Sequence, residues 1–221
     1  MYVSKTVVLN CAGVGSRLGL GVTKALLKLN GKTLIHRQLE MLEQVEDVRI
    51  VVGYQAEQVI NAVLPLRRDV TFVFNHKFNY TNTATSLALG AKAANEWLIS
   101  WDGDLLVHPQ DFQSFFALNE EYLAYTITNT ENPIYVLPEE RQDGTYIKAF
   151  SQQLCTGYEW TGLVQIKTIK INNHYPYIYQ MLEPHLPIKG LKIRSCEIDT
   201  PHDYEVALRW LKEIQHENTY A

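Results

Sequence analysis

Alternation constrains this chain more than any other feature. Thr6–Cys11, Val48–Val52, Val70–Phe74 and Leu98–Trp101 are short apolar runs, and stretches of helical character separate them. Thr33–Leu42 carries Leu34, Ile35, Leu39 and Met41-Leu42 among polar residues, which predicts an amphipathic helix. Gln55–Leu64 predicts a second helix, and the Ala- and Leu-rich stretch Thr83–Trp97 a third. Strands alternating with helices predict an α/β fold: a mostly parallel, Rossmann-like sheet flanked by helices.

The middle of the chain changes character. Tyr122–Thr128, Ile134–Leu137, Thr145–Phe150 and Trp160–Lys167 read as short strands, with the Asp143-Gly144 turn closing a hairpin. Ile169–Leu182 reads as a helix interrupted by Pro176, and Leu191–Ile198 as one strand. A final helix starts at Pro201, capped by Thr200, with Asp203 and Glu205 at the positive end of its dipole. Tyr204, Ala207, Leu208, Leu211 and Ile214 share one of its faces. The expected organisation is one domain over residues 1–221. Its core covers about 1–121 and 183–221, and a β-rich subregion covers about 122–182.

Bulk properties exclude several classes. The formal net charge is −4, so no broad basic field calls for nucleic acid. The cysteines Cys11, Cys155 and Cys196 are odd in number, far apart and without a CxxC, which points to reduced thiols in a cytoplasmic protein. The start, Met1-Tyr2-Val3-Ser4-Lys5, lacks a signal-peptide layout, and no apolar stretch approaches the roughly 20 residues that span a bilayer.

The first strand runs into Leu9-Asn10-Cys11-Ala12-Gly13-Val14-Gly15-Ser16-Arg17-Leu18. Glycines at such a turn let backbone N–H groups cradle phosphate oxygens, and Arg17 supplies a fork of donors. Lys24 follows seven positions later. Leu18 stands where the dinucleotide fingerprint requires a third glycine or alanine, and no Gly-Lys-Ser/Thr occurs in the loop. An NAD enzyme and a P-loop ATPase therefore lose weight. Two acidic segments also close strands: Asp102-Gly103-Asp104 and Glu197-Ile198-Asp199. Carboxylates placed there suit Mg²⁺ over a crevice. The bland alternatives are a solvated turn and helix capping; capping accounts for Asp203 but leaves Asp199 over.

Leu9-x-x-Ala12-Gly13-x-Gly15-x-Arg17, followed by Lys24, resembles the signature of the nucleotidyltransferase family with the GT-A-like fold. That family includes sugar-1-phosphate nucleotidyltransferases and bacterial CTP:phosphocholine cytidylyltransferases. The resemblance implies that Gly13, Gly15 and Arg17 hold the phosphates of a nucleoside triphosphate and that Lys24 contacts the reacting phosphates. Leu9, Ala12 and Ser16 join them as candidate nucleotide-binding positions. Asp104 and Asp199 match the family's metal-binding aspartates, with Asp102 beside the nucleotide. Thr23 stands where the family usually has proline before the lysine. The implied reaction is Mg²⁺-dependent nucleotidyl transfer to a small phosphorylated acceptor with release of pyrophosphate. Homodimers are common in the family.

Asn75…Tyr80-x-Asn82…Ser86-Leu resembles the branch that handles phosphocholine and related precursors, and it favours CTP. Amides can read a pyrimidine edge and a Tyr ring can pack on it. As a capping residue, Thr83 is better explained by the helix that follows. In the family the β-rich middle binds the acceptor. Tyr135, Tyr146, Tyr158 and Trp160 supply aromatic faces there that attract quaternary ammonium groups, and Gly162 and Glu197 are further acceptor-side candidates. The competing readings are a sugar-1-phosphate nucleotidyltransferase, a glycosyltransferase of the same broad fold, and a nucleotide-binding protein without turnover.

Overall fold

The computed structural model describes residues 4–15, 19 and 21–219, with side chains through residue 214. The first half contains β1 (Lys5–Cys11), β2 (Lys28–Leu29), β3 (Lys32–Thr33), α1 (Leu34–Met41), β4 (Asp47–Val52), α2 (Ala56–Val63), β5 (Val70–Phe74), α3 (Thr83–Gly90), β6 (Trp97–Asp102) and β7 (Leu105–Val107). The second contains α4 (Pro109–Phe116), β8 (Tyr122–Ile127), β9 (Tyr135–Arg141), β10 (Gly144–Ser151), β11 (Tyr158–Lys167), α5 (Ile178–Leu182), β12 (Ile188–Lys192), β13 (Ser195–Glu197) and α6 (Pro201–Thr219).

Nine strands join in the order β5-β4-β1-β6-β11-β8-β12-β10-β9. The first four are parallel, and β11 then enters antiparallel to both β6 and β8. The β-rich segment therefore extends the same sheet. The chain leaves β1 toward β4 and β5, then returns to β6 on the other side of β1. That reversal opens a crevice at the strand carboxyl ends, where α/β sheets bind ligands.

Side chains alternate across β1. Val7, Leu9 and Cys11 pack with Ile35 and Leu39 of α1, Val59 of α2 and Phe112 of α4. Val8 faces the other way, onto Leu87 of α3 and Met181 of α5. A third cluster, including Leu27, Leu29, Leu106, Ala207 and Leu211, fastens α6 beside β7 and β13. Each large aliphatic side chain buried this fully contributes about 1.5–3 kcal/mol.

Three elements differ from the sequence expectation. The third helix stops at Gly90 rather than running to Trp97. A Cβ on Gly90 would lie 2.6 Å from Val8 Cγ1, and the Arg49 guanidinium takes the carbonyls of Gly90, Lys92 and Ala93, ending the helix. The alanines beyond Gly90 merely continue a helical composition. Within Ile169–Leu182 only Ile178–Leu182 is α-helical. The stretch before it docks on α3, with Ala84 N–H donating to Pro176 O and Ile178 N–H to Thr83 Oγ1. Leu191–Ile198 is two strands, because the chain leaves the main sheet at Ile193-Arg194: β12 pairs with β8, and β13 with β7. The Asp143-Gly144 hairpin forms between β9 and β10.

Candidate active site

A cleft of about 640 Å³ opens over the carboxyl ends of β1 and β6. On one side it is lined by the glycine loop, the Asp102-Gly103-Asp104 turn and the end of β13, and on the other by segments around β9, β11 and α5.

Lys24 stands at the centre of the charged side, at the start of a 3-10 turn, Lys24–Leu26. Its ammonium pairs with Asp104 Oδ2 at 2.7 Å and with Asp199 Oδ1. Burial alone would pull the lysine pKa down. Asp104 and Asp199 outweigh it and hold the ammonium above the ordinary lysine value. The loop touches this side chain: Gly15 has φ +65°, and a Cβ there would lie 2.9 Å from Lys24 Cγ. Thr23 explains its own departure from proline. Its N–H donates to Gln55 Oε1 (2.9 Å) and its hydroxyl to Gly13 O (3.2 Å), whereas a proline offers neither donor. Gln55 Nε2 in turn donates to Gly21 O at 2.9 Å, so one side chain fastens the loop on both sides of Val22.

Asp104, Glu197 and Asp199 each offer a carboxylate oxygen, and these oxygens lie within 4.8 Å of one another. An all-oxygen, anionic set fits a hard divalent cation such as Mg²⁺. The helix cap sets Asp199: Asp203 Oδ2 accepts from the N–H groups of Asp199 (3.0 Å) and Thr200 (2.8 Å), while Thr200 Oγ1 accepts from Asp203 N. Burial, then Asp104 and Asp199, drives Glu197 well above the ordinary carboxyl range. Glu197 thus sits in the carboxylate cluster, although the sequence reading put it on the acceptor side.

Asp102 points elsewhere. Asn10 Nδ2 donates to its Oδ1 at 3.1 Å, and burial followed by Asp104 pushes its pKa up to about 7. Gly162 makes room for it: at φ +82°, a Cβ there would come within 2.5 Å of Asp102 Oδ2. Cys11, beneath the turn, has its thiol pKa raised by burial and then by Asp104 and Asp102, which disfavours the thiolate.

Other expected positions divide. Ala12, Gly13, Asn75, Asn82, Ser86, Trp160 and Gly162 line the cleft. Ser16 and Arg17 lie outside the described residues. Leu9 does not reach the cleft, because strand alternation turns it into the core, and its neighbour Asn10 lines the site instead. Tyr80 is 90% exposed and is not among the lining residues. The Asn75 amide is spent internally, donating to Thr81 Oγ1 and Ser86 Oγ (both 3.0 Å) and accepting from Lys77 N. Asn82 holds the N-cap position of α3 without a side-chain capping bond.

The aromatic wall differs from the expected set. Tyr158 packs edge-on against Tyr125 beneath the Lys192 ammonium, and Tyr135 sits across from Glu159 and Ser151; neither lines the cleft. Tyr146 instead bonds Asp143 at the hairpin. Trp160 remains, joined by Tyr177 and Tyr179. The Tyr179 ring lies 6.5 Å from that of Trp160 and 5.9 Å from that of Tyr177, and Phe150 closes the back. The signal for the two tyrosines, Tyr175-Pro176-Tyr177-x-Tyr179, is hidden when the segment is read as a helix.

Residues 7–156, more than half of the chain, match the family model of the MobA-like NTP transferase domain. The chain belongs to this family: it carries a nucleotidyltransferase domain. Among curated proteins it is 25% identical over 113 residues to the bifunctional protein GlmU of Aliarcobacter butzleri (strain RM4018), a match covering 50% of this chain and 26% of GlmU. The chain thus spans about a quarter of the length of that relative. Two solved structures share the fold. The CTP:phosphocholine cytidylyltransferase of Streptococcus pneumoniae superposes with a TM-score of 0.77 at 22% identity, covering 95% of this chain and 100% of that one. The inositol-1-phosphate CTP transferase of T. maritima gives 0.76 at 21% identity, covering 92% and 94%. Among the described residues no helix is long and apolar enough to cross a membrane.

Proposed function

We propose that the protein is a Mg²⁺-dependent cytidylyltransferase of the cytoplasm. It transfers CMP from CTP to a small phosphorylated amine or alcohol of the phosphocholine type and releases pyrophosphate. One observation carries the reading: Lys24, held between Asp104 and Asp199 and packed beside the glycine loop, lines the same cleft as the aromatic wall.

An acceptor phosphate oxygen attacks the α-phosphorus, a new P–O bond forms, and the bond to the bridging oxygen of pyrophosphate breaks. The attacking phosphate is ionised near neutral pH, so no general base is needed. Both reactants are anions, and Lys24 offsets their repulsion with a fixed charge on which no solvent must reorganise. Asp104, Glu197 and Asp199 would hold Mg²⁺, which neutralises phosphate charge when bound. The glycine loop offers N–H groups to the triphosphate. Asn82 and Ser86 support a pyrimidine, and two of the structural relatives are named for CTP. Trp160, Tyr177 and Tyr179 support a cationic amine on the acceptor. The same faces fit the C–H side of a sugar ring, so a sugar 1-phosphate is the second acceptor class.

Pyrophosphate release with Mg²⁺, pairing CTP, UTP, GTP, ATP and dTTP with phosphocholine, inositol 1-phosphate and glucose 1-phosphate, tests the reading. Release that requires CTP and one acceptor is expected. Dependence on another base would overturn the choice of CTP. Silence in every pairing by folded protein would favour the glycosyltransferase or the non-catalytic binder.

A further inference from the structure

Residues 128–134, between β8 and β9, carry no helix or strand, yet Thr130, Asn132, Pro133 and Ile134 form a lip of the cleft. Both ends of this lip are fastened by one dipeptide of β11. Glu159 Oε1 accepts from Asn129 N–H at 3.1 Å, and Oε2 accepts from the Thr130 hydroxyl at 2.7 Å. The next residue, Trp160, donates its N–H to Ile134 O at 2.8 Å. Asn129 Nδ2 adds a bond to Ser195 O (3.2 Å) on β13, the strand that carries Glu197. The same dipeptide therefore anchors the lip and presents Trp160 to the cleft that the lip borders.

Glu159 is 3% exposed, and its carboxylate accepts from a backbone amide and a hydroxyl. A buried carboxylate is costly to keep, and a loop that only needed tethering could use a neutral acceptor. What the carboxylate adds is two acceptor oxygens in one plane, which fix adjacent residues, Asn129 and Thr130, at once.

We propose that Glu159 is a positioning residue for the acceptor: it sets the lip Thr130–Ile134 against the aromatic wall, so acceptor recognition depends on it while nucleotide recognition does not. This rests on the reading that the aromatic end of the cleft takes the phosphorylated acceptor.

Steady-state kinetics on wild type, Glu159→Ala, Glu159→Gln and Thr130→Val test it, with CTP and phosphocholine as probes and hydrogen exchange of residues 129–134 in parallel. Glu159→Ala should raise the acceptor KM roughly tenfold or more, leave the CTP KM within about twofold and speed exchange at Asn129. Glu159→Gln keeps an oxygen for Asn129 N–H but loses the second acceptor, so its acceptor KM should fall between those of wild type and Glu159→Ala. Thr130→Val removes the hydroxyl bond to Glu159 without altering β11 itself and should shift the same KM in the same direction. Equal shifts of both KM values, an unchanged acceptor KM, or no rescue by glutamine would overturn the assignment. A wild type that turns over with an unshifted Glu159→Ala sinks this inference alone; a wild type silent with phosphocholine, inositol 1-phosphate and glucose 1-phosphate alike sinks the reading beneath it too.

Discussion

The two walls of the cleft are built on different principles. The charged wall is made where strands end: the loop after β1, the turn after β6 and the junction of β13 with α6. Several of its side chains are held by hydrogen bonds or by an opposite charge. Thr23 and Gln55 hold the loop, Lys24 spans two aspartates, and Asp203 caps Asp199. The facing wall is uncharged and partly aromatic, and its parts come from the segment 128–134, Gln152, β11 and the start of α5. Among the described residues Lys24 is the one Lys or Arg that lines the cleft. Among the described residues the charged side chains of the cleft are thus confined to one wall.

The comparison breaks most sharply at Asp104. Asp104→Asn removes a carboxylate from the cluster and an ion-pair partner from Lys24, and turnover should fall by about a thousandfold or more. Metal-dependent pyrophosphate release would measure it, with circular dichroism confirming the fold; near-normal kcat would refute the metal assignment. Lys24→Ala should cost about 10²–10³ in kcat, because it removes charge from where charge develops. A loss confined to KM would reduce Lys24 to ground-state binding. On the other wall, Tyr179→Ala should act oppositely: roughly tenfold in acceptor KM with little change in kcat. Comparable loss of kcat and KM there would mean that the walls are not separable.

The same contrast decides what was legible in the sequence. Thr6–Cys11 and the glycines after it announce a buried strand feeding a phosphate-type loop, and Asp104 and Asp199 each close a strand. Local pattern therefore brings Lys24, Asp104 and Asp199 to one end of the sheet. Tyr177, Tyr179 and Thr130 carry no such pattern. They meet because β11 pairs with β8 and β9 and because Pro176 docks on α3, which are long-range events without a periodic trace. Gln55 was hidden for another reason. It reads as a first helical residue, yet it adopts φ +51° and turns its amide onto the loop. A non-glycine residue held in that region is strain that the surrounding contacts must compensate.

The smallest expected effect sharpens the comparison furthest. Asp203 is 2% exposed, does not line the cleft, and accepts two backbone N–H bonds, one of them from Asp199. Asp203→Ala removes an ordinary helix cap, so its cost in stability should be about 1–2 kcal/mol, or about 2–4 °C in Tm for each kcal/mol. If the charged wall is set by local capping, the same change must also loosen Asp199 and lower kcat, since it removes the acceptor of that backbone N–H. Tyr179→Ala, by contrast, should leave kcat nearly intact whatever it does to Tm. Thermal melts and kcat measured together on the two variants separate the cases. An Asp203→Ala protein with a lowered Tm and full kcat would show that Asp199 does not depend on the cap and is held by its other contacts, the ion pair with Lys24 among them, which shifts the origin of the charged wall's order away from the helix start.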